Sequence, residues 1–253
     1  MMMSRGDIFV SFGQLTDKGS RPGNEDSIGV ISEDGAYCFI LADGLGGHDC
    51  GEVASGLAVQ EVMTVFCESG LEKDFLDAAF MCAQNKILEV QSQDNRLKEM
   101  KTTLVVLSLV HDEVSWGHVG DSRLYHFCGN RYVERTADHS VPQKLYEAHM
   151  IKESEIRHHP DRSRLLRVIG DVWENGGYEV RKTKGIHWRK REAFLLCSDG
   201  FWELIDEKSM LAFLKASDTP NEWLELMQQE VIKNGAGTNI DNYSAIAVFV
   251  KRC

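Results

Sequence analysis

The sequence predicts an α+β fold, a sandwich of mainly antiparallel sheets with helices outside. Helical periodicity falls in two blocks, near residues 51–90 and 206–233, with strand-like runs gathered between and around them. A parallel sheet would instead alternate the two element types one by one. Two of the strand-like runs also end alike. Phe39-Ile40-Leu41-Ala42 meets Asp43-Gly44, and Phe194-Leu195-Leu196-Cys197-Ser198 meets Asp199-Gly200. A short uninterrupted apolar run reads as a buried strand, and the Asp-Gly pair marks where it leaves the core and turns.

Taken in order, Ile8 to Thr16 reads as the first strand, and Ser27–Ile31 with Tyr37–Ala42 as a hairpin about Glu33-Asp34-Gly35. From Gly51 to Glu68, Val53, Ala54, Leu57, Ala58, Val62 and Val65 recur at helical spacing; Ala78, Ala79, Cys82, Ile87 and Val90 repeat this over Phe75–Val90. Thr102–Val110, Val114–Val119, Ser122–Phe127 and Tyr132–Glu134 follow as strands, turned at His111-Asp112-Glu113 and at Gly129-Asn130, and read as a four-stranded antiparallel meander. Thr136 to Gly170 is polar and only weakly helical, an excursion from the core carrying His139, His149, His158 and His159. Strands resume at Tyr178–Thr183 and Ala193–Cys197, helices at Asp206–Leu214 and Asn221–Lys233, and a last strand covers Ser244–Lys251. No Pro- or Ser-rich linker divides the chain, so a single domain over residues 1–253 is expected.

A formal charge of -11 argues against nucleic-acid binding, which needs a basic face. Seven scattered cysteines without a CxxC pair fit a reducing compartment and offer no zinc spacing. No stretch approaches a membrane span and the first residues lack a signal-peptide core, so the expectation is a cytoplasmic protein.

The chemistry concentrates at strand ends. Asp43 and Asp199 close two apolar runs, Asp121 closes Val114–Gly120, and Asp241 opens the way to Ala245–Val250. Such a cluster repels itself unless a cation fills it, and an all-oxygen donor set suits Mg²⁺ or Mn²⁺ over zinc or copper. Arg21, Glu25 and Asp26 share one turn, which alone would read as a solvated loop with a surface ion pair. Asp43-Gly44-Leu45-Gly46-Gly47-His48 matches neither the dinucleotide nor the P-loop spacing, and Gly120-Asp121-Ser122-Arg123 is not a nucleophile elbow.

In order, RPGNEDS, LADGLGGH, KTTLVVLSL, GHVGDSRLY, TADHS, RLLRVIG, LLCSDGFWELI and DNYSAIAV resemble the motifs of the metal-dependent PP2C-type (PPM) serine/threonine phosphatases, most closely the bacterial branch, from about Gln14 to Val250. The resemblance implies a four-layer α-β-β-α sandwich with a binuclear Mn²⁺ or Mg²⁺ centre at one end. Asp43 would bridge the ions, Gly44 would ligate one through its carbonyl, and Asp199 and Asp241 would hold the other. Glu25 and Asp26 would ligate or bind metal-held water. Asp121, with Asp199, matches a third, weaker ion, and Arg21 would bind the substrate phosphate. Residues from about 141 to 164 match the family's flap. Water activated at the ions attacks phosphorus directly, with no phosphoenzyme.

Two positions depart from the pattern. Leu45 stands where some relatives carry a histidine proposed as general acid, which leaves the proton to a metal-bound water with His48 nearby, and Lys101 replaces a glycine before the Thr-Thr pair. The implied partner is a phosphorylated protein opposed to a Ser/Thr kinase, and the chain is expected to be a monomer. A pseudophosphatase and a hydrolase of small phosphate esters stand as alternatives; retention of Asp43, Asp199 and Asp241 favours the enzyme over the former. His158-His159 beside Pro160 reads as a solvated turn, and Trp188, Trp202 and Trp223 as packing residues.

Overall fold

The computed structural model describes residues 8–46, 50–71, 74–111, 113–173, 177–183 and 191–252; Gly47, His48, Asp112 and Trp188 lie outside them. In chain order the elements are β1 (Ile8–Asp17), β2 (Asp26–Glu33), β3 (Ala36–Leu45), α1 (Cys50–Ser69), α2 (Phe75–Gln93), β4 (Lys101–Thr102), β5 (Leu104–Val110), β6 (Glu113–Val119), β7 (Arg123–Cys128) and β8 (Arg131–Arg135). There follow α3 (Val141–Glu147), α4 (Glu153–Ile156), β9 (Glu179–Thr183), β10 (Glu192–Cys197), α5 (Asp199–Trp202), α6 (Glu207–Ala216), α7 (Pro220–Gly235) and β11 (Tyr243–Arg252). No helix among the described residues is long and apolar enough to cross a membrane.

Two antiparallel sheets result, one ordered β1-β11-β10-β7-β8 and the other β2-β3-β5-β6-β9, with β4 paired to the end of β3. Side chains alternate across each strand, so a strand buried on both faces feeds two cores. In β3, Cys38, Ile40 and Ala42 face α1 and α2 and pack with Ala54, Ala58, Phe66 and Phe80. Phe39 and Leu41 point the other way, toward Phe194, Leu196, Ile246 and Val248 of the opposite sheet. Leu195, Ala245 and Ala247 in turn meet Met210, Leu214, Trp223 and Met227 of α6 and α7. Three apolar layers thus separate four structural ones, the α-β-β-α sandwich expected. A capping box between Thr219 and Glu222, with Pro220 in the first turn, sets the start of α7.

The four-stranded meander is incorrect. β5 and β6 belong to one sheet, and β7 and β8 to the other. The chain changes sheet at Gly120-Asp121-Ser122. Gly120 adopts φ 97°, and a Cβ there would press on Thr103, so the turn needs glycine. The run from Thr102 to Val110 is also broken: Thr102 pairs with Gly44, whereas β5 begins at Leu104. The polar excursion contains α3 and α4 and is closed at its base by Val141 N–H donating to Arg164 O (3.0 Å) and Leu166 N–H to His139 O (2.7 Å).

A candidate metal centre at one end of the sandwich

Five aspartates reach one end of the sandwich from different elements. Asp26 begins β2 directly opposite Asp43 near the end of β3. Asp121 occupies the passage from β6 to β7, Asp199 starts α5 after β10, and Asp241 precedes β11. Burial holds the Asp43 carboxyl well above its ordinary range, reinforced by the charges of Asp26, Asp199, Asp121 and Asp241. Burial likewise lifts Asp26 to about 7, and lifts Asp199 to about 7 with help from Glu203 and Asp241. Asp121 is raised by burial, then by Asp199 and Asp138. The Asp43 side chain beside Asp199 partly offsets the rise at Asp199.

Backbone and hydroxyl groups fix these carboxylates. Asp43 N–H donates to Thr103 Oγ1 (2.9 Å), and Asp43 O accepts from Thr103 N–H (2.9 Å) and Thr102 Oγ1 (2.8 Å). Thr103 Oγ1 also meets Ser122 Oγ at 2.7 Å, joining the Asp43 and Asp121 backbones. Ser198 Oγ donates to Asp26 Oδ2 (2.8 Å) and accepts from Ser244 N–H (2.9 Å), tying the two sheets together at the site. Asn242 clamps the loop before β2: its Nδ2 donates to Lys18 O and Gly23 O (both 2.9 Å), and its Oδ1 accepts from Glu25 N–H (2.8 Å).

Gly44 donates its N–H to Glu25 O (3.0 Å), and a Cβ at Gly44 would run into Gly51 O and Glu25 O. Only a glycine fits this approach. The Glu25 carboxylate lies against Gly51 in the first turn of α1, beside Gly44, where the helix amino end favours negative charge. Arg21 Nη2 donates to Asp241 Oδ2 at 2.7 Å, both side chains about half exposed. The pair spans the chain, so the solvated-loop reading of the RPGNED turn gives way to a tertiary contact. Beside it opens a cleft of ≈ 440 Å³ whose walls include Arg21, Arg157, His158, Arg162 and Glu203.

All eight predicted site positions therefore reach this end of the fold, with the five aspartates in mutual electrostatic contact. Thr103, Ser198, Ser122 and Asn242 complete the site, although sequence reasoning assigned them no part. Leu45 ends β3 opposite Lys101, whose Nζ is 2.5 Å from Asp171. His159 Nδ1 accepts from Asp161 N–H (3.1 Å) within a turn, while Trp202 and Trp223 are buried.

The donor set fits a hard divalent cation. Asp26 Oδ1 is buried without a hydrogen-bond partner, several adjacent carboxylates share too little solvent to ionise together, and every donor is oxygen. Fold and site together define a class: α-β-β-α sandwiches with an acidic end fit for divalent metal.

The family model for protein phosphatase 2C matches residues 19–232. The serine/threonine phosphatase stp of Listeria monocytogenes is 30% identical over 234 residues, covering 89% of this chain and 91% of that protein. The crystal structure of Stp1, a serine/threonine phosphatase from Staphylococcus aureus, superposes with TM-score 0.84 at 25% identity, covering 98% of this chain and 97% of that one. The catalytic domain of the phosphatase PstP, solved in complex with two manganese ions, shares the fold with TM-score 0.79 at 24% identity over 96% of this chain and 99% of that one. The chain belongs to the protein phosphatase 2C family, the PP2C-type serine/threonine protein phosphatases.

Proposed function

We propose that this chain is a single-domain enzyme that hydrolyses phosphoserine and phosphothreonine in proteins with two Mn²⁺ or Mg²⁺ ions, without a phosphoenzyme. The convergence of Asp26, Asp43, Asp121, Asp199 and Asp241 carries the reading. Asp43, the Gly44 carbonyl, Asp199 and Asp241 hold the two ions. Glu25 and Asp26 ligate or accept from water, and Asp121 with Asp199 holds a third. When bound, such ions lower the pKa of water and neutralise phosphoryl charge.

Arg21 offers a planar guanidinium to the substrate phosphate, and its contact with Asp241 already keeps it at the carboxylates. Thr103 and Ser198 hold the ligands rigid, so little reorganisation accompanies turnover. The arginine-rich cleft beside Asp241 receives the anionic substrate, bordered by the flap at 141–164. Leu45 contributes no proton, so water protonates the leaving oxygen. In this reading the chain acts as a cytoplasmic monomer on phosphorylated proteins, opposed to a Ser/Thr kinase.

Phosphoserine, phosphothreonine and phosphotyrosine peptides incubated with Mn²⁺ test this. We expect turnover of the first two, its loss in EDTA, its return on adding Mn²⁺, and none in Asp199→Asn. Activity that survives thorough chelation, or an Asp199→Asn variant as fast as wild type, would overturn it.

A further inference from the structure

Two motif histidines take no part in that chemistry. His118 and His139 stack at 4.7 Å between ring centroids, 19° from parallel, and with Glu179 they place three metal-type ligand atoms within 4.8 Å. Their hydrogen bonds argue against an ion. Gly120 N–H donates to His139 Nδ1 (3.2 Å), which must therefore carry the lone pair. The proton of the neutral ring then sits on Nε2, 3.4 Å from Glu179 Oε1. Ligation through Nε2 would require an imidazolate. His118 Nε2 is likewise committed, donating to Ala137 O (2.7 Å), and near-parallel rings do not aim their lone pairs at one point.

We propose instead that His139 is a positioning residue for Asp121, clamping the turn that carries it. His139 grips Gly120 twice: its ring accepts from the Gly120 N–H, and its own N–H donates to Gly120 O (2.9 Å). Gly120, in a backbone region that favours glycine, is thereby fixed immediately before Asp121. The other side of Asp121 leads back to the same dipeptide. Asp121 O accepts from Trp202 Nε1 (2.9 Å), and Trp202 lies 3.4 Å beneath the Arg123 guanidinium. Arg123 in turn is held by both oxygens of Asp138 (2.8 and 2.7 Å), the neighbour of His139. Since His139 O also closes the base of the polar excursion through Leu166 N–H, one residue braces both the carboxylate turn and the segment above it. Glu179 acts through the ring, holding its proton on Nε2.

The inference rests on Asp121 as a metal carboxylate, and its test separates the two. In a calorimetric Mn²⁺ titration, His139→Leu should weaken the weakest site by about 10-fold while sparing the tighter ones, the scale seen for groups that orient ligands. His139→Asn, whose Oδ1 replaces Nδ1 as acceptor, should restore it. Equal weakening at every site, no weakening, or an Asn variant no better than Leu would overturn the clamp. Should the Leu variant not fold, ¹⁵N NMR of the Mg²⁺-loaded wild type decides: the clamp requires His139 protonated at Nε2 alone and a slowly exchanging Gly120 amide. The opposite tautomer or a fast amide refutes it. Wild type that binds only two Mn²⁺ ions would refute the third-ion role of Asp121, while tautomer and amide exchange still judge the clamp.

Discussion

Asp26 rests one carboxylate oxygen on the Ser198 hydroxyl and buries the other with no partner. A residue so placed stays protonated, rearranges or meets a cation, because a bare buried carboxylate is costly. Arg21 at the rim is in a different position, half exposed and bonded to one oxygen of Asp241, whose other oxygen accepts from Asn242 N–H (2.8 Å). Arg21→Ala should raise KM for a phosphothreonine peptide by about 10-fold, roughly 1.4 kcal/mol, and lower kcat by less. Steady-state kinetics check this, and an unchanged KM would count against the phosphate-binding role. Asp43, Asp121 and Asp199 were legible in the sequence because each closes an apolar run, whereas Asp26 and Asp241 stood out only within their motifs. Asn242 was visible only as the neighbour of Asp241 in DNYSAIAV, since the groups it bonds lie at Lys18, Gly23 and Glu25, more than 200 residues away, and nothing local in the sequence reports such a contact.

At the level of elements, the passage from β6 to β7 decides where Asp121 goes. Hydrophobic alternation runs alike on both sides of Gly120-Asp121-Ser122, so the pattern reads as a continuing meander even though the chain has crossed to the other sheet. Periodicity reports that a strand is buried, not which sheet buries it. Gly120 was the available signal, yet glycine in a turn is too common to choose between a hairpin and a crossing. The crossing is secured by Thr103, whose hydroxyl serves both Asp43 N–H and Ser122 Oγ. Thr103→Val keeps the shape and leaves these buried polar groups without their partner. It should cost about 1–3 kcal/mol in urea unfolding and weaken Mn²⁺ binding. A variant as stable as wild type would show the hydroxyl bridge to be dispensable.

For the whole molecule, the acidic end opposes folding once it ionises. Asp26 and Asp199 hold protons up to about pH 7, and Asp43 and Asp121 shift the same way. Between their ordinary range near 3.8 and about 7 the folded state therefore binds more protons than the unfolded chain, so stability falls as pH rises. His118, depressed to about 4 chiefly by burial, acts oppositely up to its ordinary 6.5; lowered carboxylates such as Glu179 and Asp138 oppose the trend only near pH 4, while Glu203 is raised with the aspartates. In EDTA, Tm should drop from pH 5 to 7.5. Saturating Mn²⁺ should remove the drop and, at 100 times its Kd, add about 2.7 kcal/mol. A metal-free Tm that holds level or climbs over that range would contradict the raised carboxylates.

β1 and β11 run side by side in register from Ile8 against Arg252 to Asp17 against Tyr243. Among the described strands, the first in sequence is thus completed by the last, and Arg21 and Asp241 meet just beyond their shared end. On the ribosome, the loop carrying Arg21, Glu25 and Asp26 meets Gly44 early, at Glu25 O, but must wait for Asp241 and Asn242 to emerge before the Arg21 side chain and the Glu25 N–H find their partners. The clamp on that loop therefore comes with the pairing of β1 and β11, not with synthesis of the loop itself.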